Sequence, residues 1–418
     1  MLKKLKDKIK EKLISKYSGL LSRETINLEE LKEVVRQIIN DTIYQGHINL
    51  SEKDKSVILG DVIDDITGLG PLESFMKDPH VTEIMINGLK KVYIEKQGTT
   101  ELTDVAFEDE GEIRYIISKM LAPTRRRVDE SYPYAEVSLK DGSRVNIVIP
   151  PIALGGPAVT IRRFLKDLGS AEDLIKLGTL DRRMADFLIA SIKAKVNIVF
   201  SGATGAGKTT TLNVFSSYIP AGERIITIED TAELSLRQEH VVRLESRQPS
   251  IEGKGEITIR DLFKNSLRMR PDRIILGEIR GAEALDLLQA ICSGHGGSLS
   301  VIHAESPQEV VDRLETMISI SSTPIRIETI HRQIARTINL IVHQEQLLDG
   351  SRKVTRLSQV SGLKDGQVVI EDIFVYHLES FDEQGKAKGN WKATGVVPNF
   401  LGRFKKTGVN LSEEIFRE

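Results

Sequence analysis

Residues Gly202 to Thr209 read Gly-Ala-Thr-Gly-Ala-Gly-Lys-Thr and follow the apolar run Asn197-Ile198-Val199-Phe200. A strand, a glycine-rich turn and a helical stretch from Thr209 to Tyr218 are the setting that the phosphate-binding pattern G-x-x-x-x-G-K-S/T requires. Backbone N–H groups freed by Gly202, Gly205 and Gly207 can point at phosphate oxygens, and the helix N-terminus adds a field that favours anions. The pattern assigns Gly202, Ala203, Thr204, Gly205, Ala206, Gly207, Lys208, Thr209 and Thr210 to nucleotide binding. Lys208 can reach the β- and γ-phosphates and the Thr209 hydroxyl can hold Mg²⁺, so ATP and Mg²⁺ are the expected cofactors.

Three further boxes follow. Ile225-Ile226-Thr227-Ile228 ends in Glu229-Asp230, with Glu233 nearby. Carboxylates at the C-terminal edge of a strand can face phosphates and Mg²⁺ or position an attacking water. An acidic turn or helix cap would carry the same letters. Arg273-Ile274-Ile275-Leu276 leads through Gly277 to Glu278. Glycine there lets the backbone approach a ligand closely. Glu278 is expected to polarise the water or accept its proton, directly or through Mg²⁺. Thr209, Glu229 and Glu278 form the expected Mg²⁺ set. Last comes the loop Gly294-His295-Gly296-Gly297 and a strand that ends at His303. His303 is placed to hydrogen-bond the γ-phosphate, and His295 sits in a loop of permissive backbone.

Phosphoryl transfer also needs positive charge where negative charge develops. The richest arginine clusters lie upstream, at Arg125-Arg126-Arg127, Arg144 and Arg162-Arg163. Arg126, Arg127, Arg144 and Arg162 are candidates for fingers supplied in trans within a ring. Solvated arginines or internal ion pairs are the other reading.

These groups need elements to hold them. From about 175 to 345, strand candidates Val196–Phe200, Arg224–Ile228, Val241–Leu244, Arg273–Leu276, Ser298–Ile302 and Asn339–His343 alternate with helix candidates. The helices include Thr258–Met269, Ala282–Cys292 and Pro307–Ile318, and the alternation predicts an α/β domain with a parallel-rich sheet. Lys353–Val360 and Val368–His377 read as antiparallel strands, and the polar tail beyond about 380 carries little pattern. Residues 1–65 read as a helical N-terminal segment. Residues 66–165 read as a small α+β domain, with Asp141-Gly142 as a hairpin turn. Residues 166–418 form the ATPase domain with its C-terminal extension. Pro150-Pro151 and Gly155-Gly156-Pro157 read as a linker or crossover. Ser170 with Asp173 reads as a capping box.

The chain has 418 residues, a formal net charge of −2 and one cysteine, Cys292. A disulfide framework within the chain is excluded, and a cysteine-based zinc site is not expected. No apolar run is long enough to span a bilayer, and no signal-like segment opens the chain, so a cytoplasmic location is expected. Charge near zero gives no global drive toward nucleic acid, and no nucleic-acid partner is expected. Met1 to Lys16 carries seven lysines, with Leu2, Leu5, Ile9 and Leu13 at helical spacing. This basic amphipathic helix suits peripheral contact with an anionic membrane or an acidic partner. It equally suits packing on its own domain.

Taken in order, the boxes resemble the secretion ATPases of the type II/type IV secretion superfamily, and most closely the CpaF class of Tad/Flp pilus motors. The resemblance also rests on Arg126-Arg127-Val128-Asp129-Glu130-Ser131, Asp141-Gly142-Ser143-Arg144-Val145-Asn146, Pro150-Pro151 and Thr160-Ile161-Arg162-Arg163-Phe164. Thr227–Leu234, Arg268-Met269-Arg270-Pro271-Asp272 and Gly277-Glu278-Ile279-Arg280 add to it. It covers roughly residues 60 to 345. It implies a RecA-like P-loop domain behind the small N-terminal domain, a homohexamer, and ATP bound between the two domains. It implies cytoplasmic hydrolysis coupled to an inner-membrane platform protein, with the enzyme peripherally associated with that membrane. The single cysteine departs from relatives with a four-cysteine zinc element, which favours the CpaF or type IV secretion branches. A different class of function is a nucleotide-gated scaffold with little hydrolysis. The full carboxylate set argues against it, since a pure switch has no need of Glu278.

Overall fold

The computed structural model describes residues 2–17, 27–96, 98–124, 126–163, 169–247, 249, 254–321 and 325–417. Arg125 and Phe164, named above, lie outside them. The chain divides into two compact units after residue 164.

The first unit opens with helices Leu2–Lys16, Leu28–Gly46 and Glu52–Thr67. Asn27 caps the second by accepting from the backbone N–H of Glu29 and Glu30, and Ser51 opens the third in a capping box with Asp54. Such caps satisfy amide groups that a helix start leaves unpaired. Leu5, Ile9 and Leu13 are buried against Leu31, Val35, Ile38, Ile58 and Val62. Lys6 and Lys10 pair with Asp61 and Asp65. Leu5, Ile9 and Leu13 are therefore covered by the chain's own helices, the packing that the amphipathic pattern equally suited.

A six-stranded sheet follows, built of β1 Val81–Asn87, β2 Val92–Lys96, β3 Thr99–Leu102, β4 Tyr134–Ser138, β5 Arg144–Val148 and β6 Ala158–Arg162. Its order is β3-β2-β1-β6-β5-β4, with neighbours antiparallel. Alternating Ile84, Ile86, Val145, Ile147, Val159 and Ile161 face the helix Glu110–Leu121, whose Ile113, Ile116, Ile117 and Met120 complete the core. Residues 149–157, expected as a linker or crossover, join two neighbouring strands of this one sheet. The short apolar alternation of β6 is masked in the sequence by the proline and glycine run before it.

In the second unit β7 Ile198–Gly202, β8 Ile225–Glu229, β9 Val241–Glu245, β10 Arg273–Leu276, β11 Leu299–His303 and β12 Leu340–Gln346 run parallel. β13 Arg352–Lys364, β14 Gln367–Phe381 and β15 Ala387–Ala393 extend the sheet antiparallel. The nine-stranded order is β15-β14-β13-β12-β7-β11-β10-β8-β9. Both faces are covered: Ile198 and Phe200 of β7 enter one core, and Val199 enters the other. This explains the continuous apolar runs of the sequence, since strands buried on both faces do not alternate. The capping box of Ser170 with Asp173 opens the helix Ala171–Lys176. The tail has a structural part: Phe400, Phe404 and Phe416 close around Phe187, with centroids at 6.2, 6.3 and 5.3 Å.

Candidate functional site

Strand order places the site. β7 is followed in the chain by β8, yet its neighbours in the sheet are β11 and β12. Ligands of open α/β sheets bind at such a switch point, outside the C-terminal ends of the strands. At that edge His303 stands in register with Gly202, and Leu276 with Ile228, so three boxes converge on the loop after β7.

Gly202, Gly205 and Gly207 have φ of 148°, 79° and 93°, conformations that side-chain-bearing residues rarely adopt. Ala203, Thr204 and Gly205 are exposed, Thr209 and Thr210 partly so. Lys208 is 6% exposed and its Nζ donates to Ala203 O at 2.7 Å. The helix Lys208–Ser216 starts there and aims its N-terminus at the loop.

Glu229 is 2% exposed at the end of β8. Its Oε1 accepts from the backbone N–H of Glu233 at 2.8 Å and of Leu234 at 2.7 Å. Its Oε2 is buried with no hydrogen-bond partner among the described residues. Burial pushes this carboxyl up to about 7, against the pull of its two amide donors. Gly277 leaves room for it: a Cβ there would stand 2.9 Å from Glu229 Cγ. Asp230 accepts from Ser246 Oγ and lies 3.2 Å from Arg280 Nη1. Glu233 reaches the cluster through its backbone, on Glu229.

Glu278 pairs with Arg280 through one oxygen, and the other lies 3.7 Å from His303 Nε2. His303 Nδ1 is 3.5 Å from Thr204 Oγ1 of the loop. Burial first, and the nearby Lys208 charge second, hold His303 below its ordinary value, so the ring is neutral at neutral pH. Lys208, Glu278, His303 and Thr204 thus form one connected corner.

His295 is not brought to this corner. It lies before β11, at the other end of the strand from His303, with Nδ1 3.2 Å from Ala290 O. Gly297 beside it serves packing: a Cβ there would collide with Arg273, which is 1% exposed and donates to Gly297 O and Ile192 O. Arg126, Arg127, Arg144 and Arg162 belong to the first unit. Arg144 and Arg162 face each other in register across β5 and β6, and Arg162 donates to Glu83 Oε1 at 2.8 Å. Arg127 lies 3.1 Å from Asp129 Oδ2 and over the Tyr132 ring, while Arg126 is exposed.

One wall of the phosphate loop has no counterpart among the sequence motifs. β12 runs to Gln346, past the His343 at which the apolar pattern ends. The Gln344 carbonyl occupies the place of a Cβ on Gly202, Gln344 Oε1 accepts from Thr211 Oγ1 at 2.7 Å, and Arg352 Nε donates to Gly205 O at 2.8 Å. Buried His343 bonds Ser201 Oγ through Nδ1 at 3.0 Å. The signal in the sequence is positional, since a strand beside β7 must end beside the loop that β7 feeds.

Thr209, Glu229 and Glu278 are the residues that would hold a Mg²⁺ ion together with phosphates, and the observation that bears on this is Glu229. The buried Glu229 Oε2 lacks a donor, and Mg²⁺ takes few protein carboxylates when phosphate oxygens complete its shell.

Comparison with known proteins places the chain in a family. Residues 65–382 match the model of the family described as Type II/IV secretion system protein. The chain is 31% identical over 306 residues to the type IV secretion system protein VirB11 of Brucella suis, covering 66% of this chain and 84% of that one. It is 30% identical over 305 residues to the conjugal transfer protein TrbB of Rhizobium radiobacter, covering 71% and 88%. The solved structure of the pilus retraction motor PilT with bound ADP superposes with a TM-score of 0.50 at 18% identity, over 72% of this chain and 82% of that one. That likeness shows the RecA-like α/β fold behind a small N-terminal domain. By family model, relatives and fold, the chain belongs to the type II/IV secretion system protein family.

Proposed function

We propose that this chain hydrolyses Mg-ATP and acts as the motor of a Tad/Flp-class pilus or a related secretion machine. The convergence of Lys208, Glu278 and His303 on the exposed phosphate loop carries the reading. Lys208, now on Ala203 O, transfers its N–H donors to the phosphates when ATP enters. Glu278 orients the attacking water and takes its proton, and neutral His303 offers a hydrogen bond toward the γ-phosphate. Thr209, Glu229 and Glu278 would hold Mg²⁺ with the phosphates, and the bound ion would supply charge neutralisation on the transferring group. Asp230, tied to Ser246 and Arg280, keeps the loop after β8 in place.

The arginines of the first unit, Arg126, Arg127, Arg144 and Arg162, act in trans within a homohexameric ring. That ring works in the cytoplasm against an inner-membrane platform, and domain closure converts hydrolysis into movement. The CpaF class is the branch favoured by the motifs and by the absence of a cysteine zinc element. Hydrolysis measured across a protein concentration series, with molar mass by light scattering, tests the assembly. Specific activity should rise as a hexamer-sized species forms. Equal specific activity in monomer and ring would contradict sharing of the site.

A further inference from the structure

The geometry points to Arg352, at the start of β13, as a positioning residue that presets the phosphate loop for nucleotide. The inference rests on the ATP-binding reading above and names a residue outside the four boxes that read out of the sequence.

The observations concern one hairpin. β12 and β13 are joined by a closed turn, in which Leu347 N–H donates to Ser351 O at 2.8 Å and Gly350 N–H to Leu347 O at 2.9 Å. Gln346 and Arg352 face each other in register at its base. All three loop glycines lie against this hairpin. A Cβ on Gly202 would collide with Gln344 O. On Gly205 it would stand 3.3 Å from Gln346 Oε1. On Gly207 it would stand 2.9 Å from Gln344 Nε2 and 3.1 Å from Arg352 Cδ. The loop is therefore cast against β12 and β13 as well as shaped by its own dihedral angles.

Arg352 reaches from β13 to the loop backbone, and the bond it makes there has a defined consequence. Its Nε donates to Gly205 O at 2.8 Å. The peptide between Gly205 and Ala206 is planar and trans, so its carbonyl and its N–H point in opposite directions. Holding the carbonyl toward Arg352 turns the Ala206 N–H away from β13 and into the loop. There it donates to Ala203 O at 3.3 Å, the same oxygen that receives Lys208 Nζ at 2.7 Å. An entering phosphate draws on these two donors together. Arg352 fixes the first from outside the loop, through the Gly205 carbonyl. Preset donors lower the cost of ordering at the moment of binding.

The test uses the full chain, a fluorescent ATP analogue and the variants Arg352→Ala, Arg352→Lys and Lys208→Ala. Arg352→Ala should weaken binding roughly tenfold to a hundredfold, the span of one hydrogen bond to a charged group. Arg352→Lys, which keeps a donor, should recover part of the loss. In the nucleotide-free protein, amide exchange across residues 202–209 should speed up in Arg352→Ala while the melting temperature holds. KM should rise with kcat nearly unchanged. Loss of kcat at unchanged KM would mark a merely structural role and overturn the inference, as would wild-type affinity and exchange. Arg352→Gln carries the same test should Arg352→Ala fail to fold. If the wild-type chain binds no nucleotide, the ATP reading falls and this inference with it. If the wild type binds and Arg352→Ala binds equally, this inference alone falls.

Discussion

Glu229 and Gly277 face each other across β8 and β10 so closely that a Cβ on the glycine would stand 2.9 Å from Glu229 Cγ. Glu229 cannot retreat, because two backbone amides hold its Oε1. Gly277→Ala should therefore displace the carboxylate while leaving the strands paired. A displacement on the order of 1 Å near reacting atoms costs about a hundredfold in rate. Turnover of Gly277→Ala should fall by about that factor with unchanged circular dichroism. Turnover equal to wild type would show that Glu229 does not need its present position.

Burial of Glu229 also predicts a pH dependence of stability. Its carboxyl is pushed up to about 7 in the folded chain, against an ordinary value of 4.5. The folded state thus binds this proton more tightly than the unfolded state. Its contribution is fully present below pH 4.5 and is lost as pH rises through 7, by about 3 kcal/mol in all. Glu229→Gln should raise the urea midpoint over wild type at pH 8 and leave it nearly equal at pH 4.5. A difference that is the same at both pH values would contradict burial as the cause.

His303 should work as a neutral ring. Burial and the Lys208 charge hold its pKa low. The rate profile should show no histidine step between pH 6.5 and 8. His303→Ala should lower kcat about tenfold to a hundredfold with little change in KM, the scale of a single positioned hydrogen bond to the reacting group. A rise in KM alone would place His303 in ground-state binding.

The C-terminal tail should matter for stability. Phe416 is 1% exposed and meets Phe187 edge-on at 5.3 Å. Phe416→Ala should cost about 3–5 kcal/mol in chemical denaturation, as buried aromatic truncations do. A loss under about 1 kcal/mol would mean that the tail docks without closing the core.

Much of this architecture is legible in the order of the amino acids. Strands buried on both faces leave apolar runs, and some of these runs end at the chemistry they position, as Ile228 does at Glu229 and Ile302 at His303. Helix starts are legible where a cap is written in the letters, as at Ser170 with Asp173. What stays hidden has no local signature. Phe400 and Phe404 stand four apart, but one such pair and the distant Phe416 make no sustained period along a polar tail. β6 is five residues behind a proline and glycine run. The end of β12 is polar because it faces the phosphate loop, so hydropathy stops too early and Arg352 goes unnoticed. His295 shows the converse error. Gly297, in a loop that suggests a ligand, makes room for Arg273, and a fully buried arginine cannot be anticipated from its neighbours in sequence.

Hydrolysis of Mg-ATP by the wild type and by Glu278→Ala, with nucleotide binding followed in the same samples, separates a hydrolysing motor from a chain that only binds nucleotide. The wild type should turn ATP over, and the variant should bind it without turnover. Hydrolysis by Glu278→Ala at the wild-type rate would contradict the role given to Glu278. A wild type that binds ATP and never turns it over would contradict the motor itself.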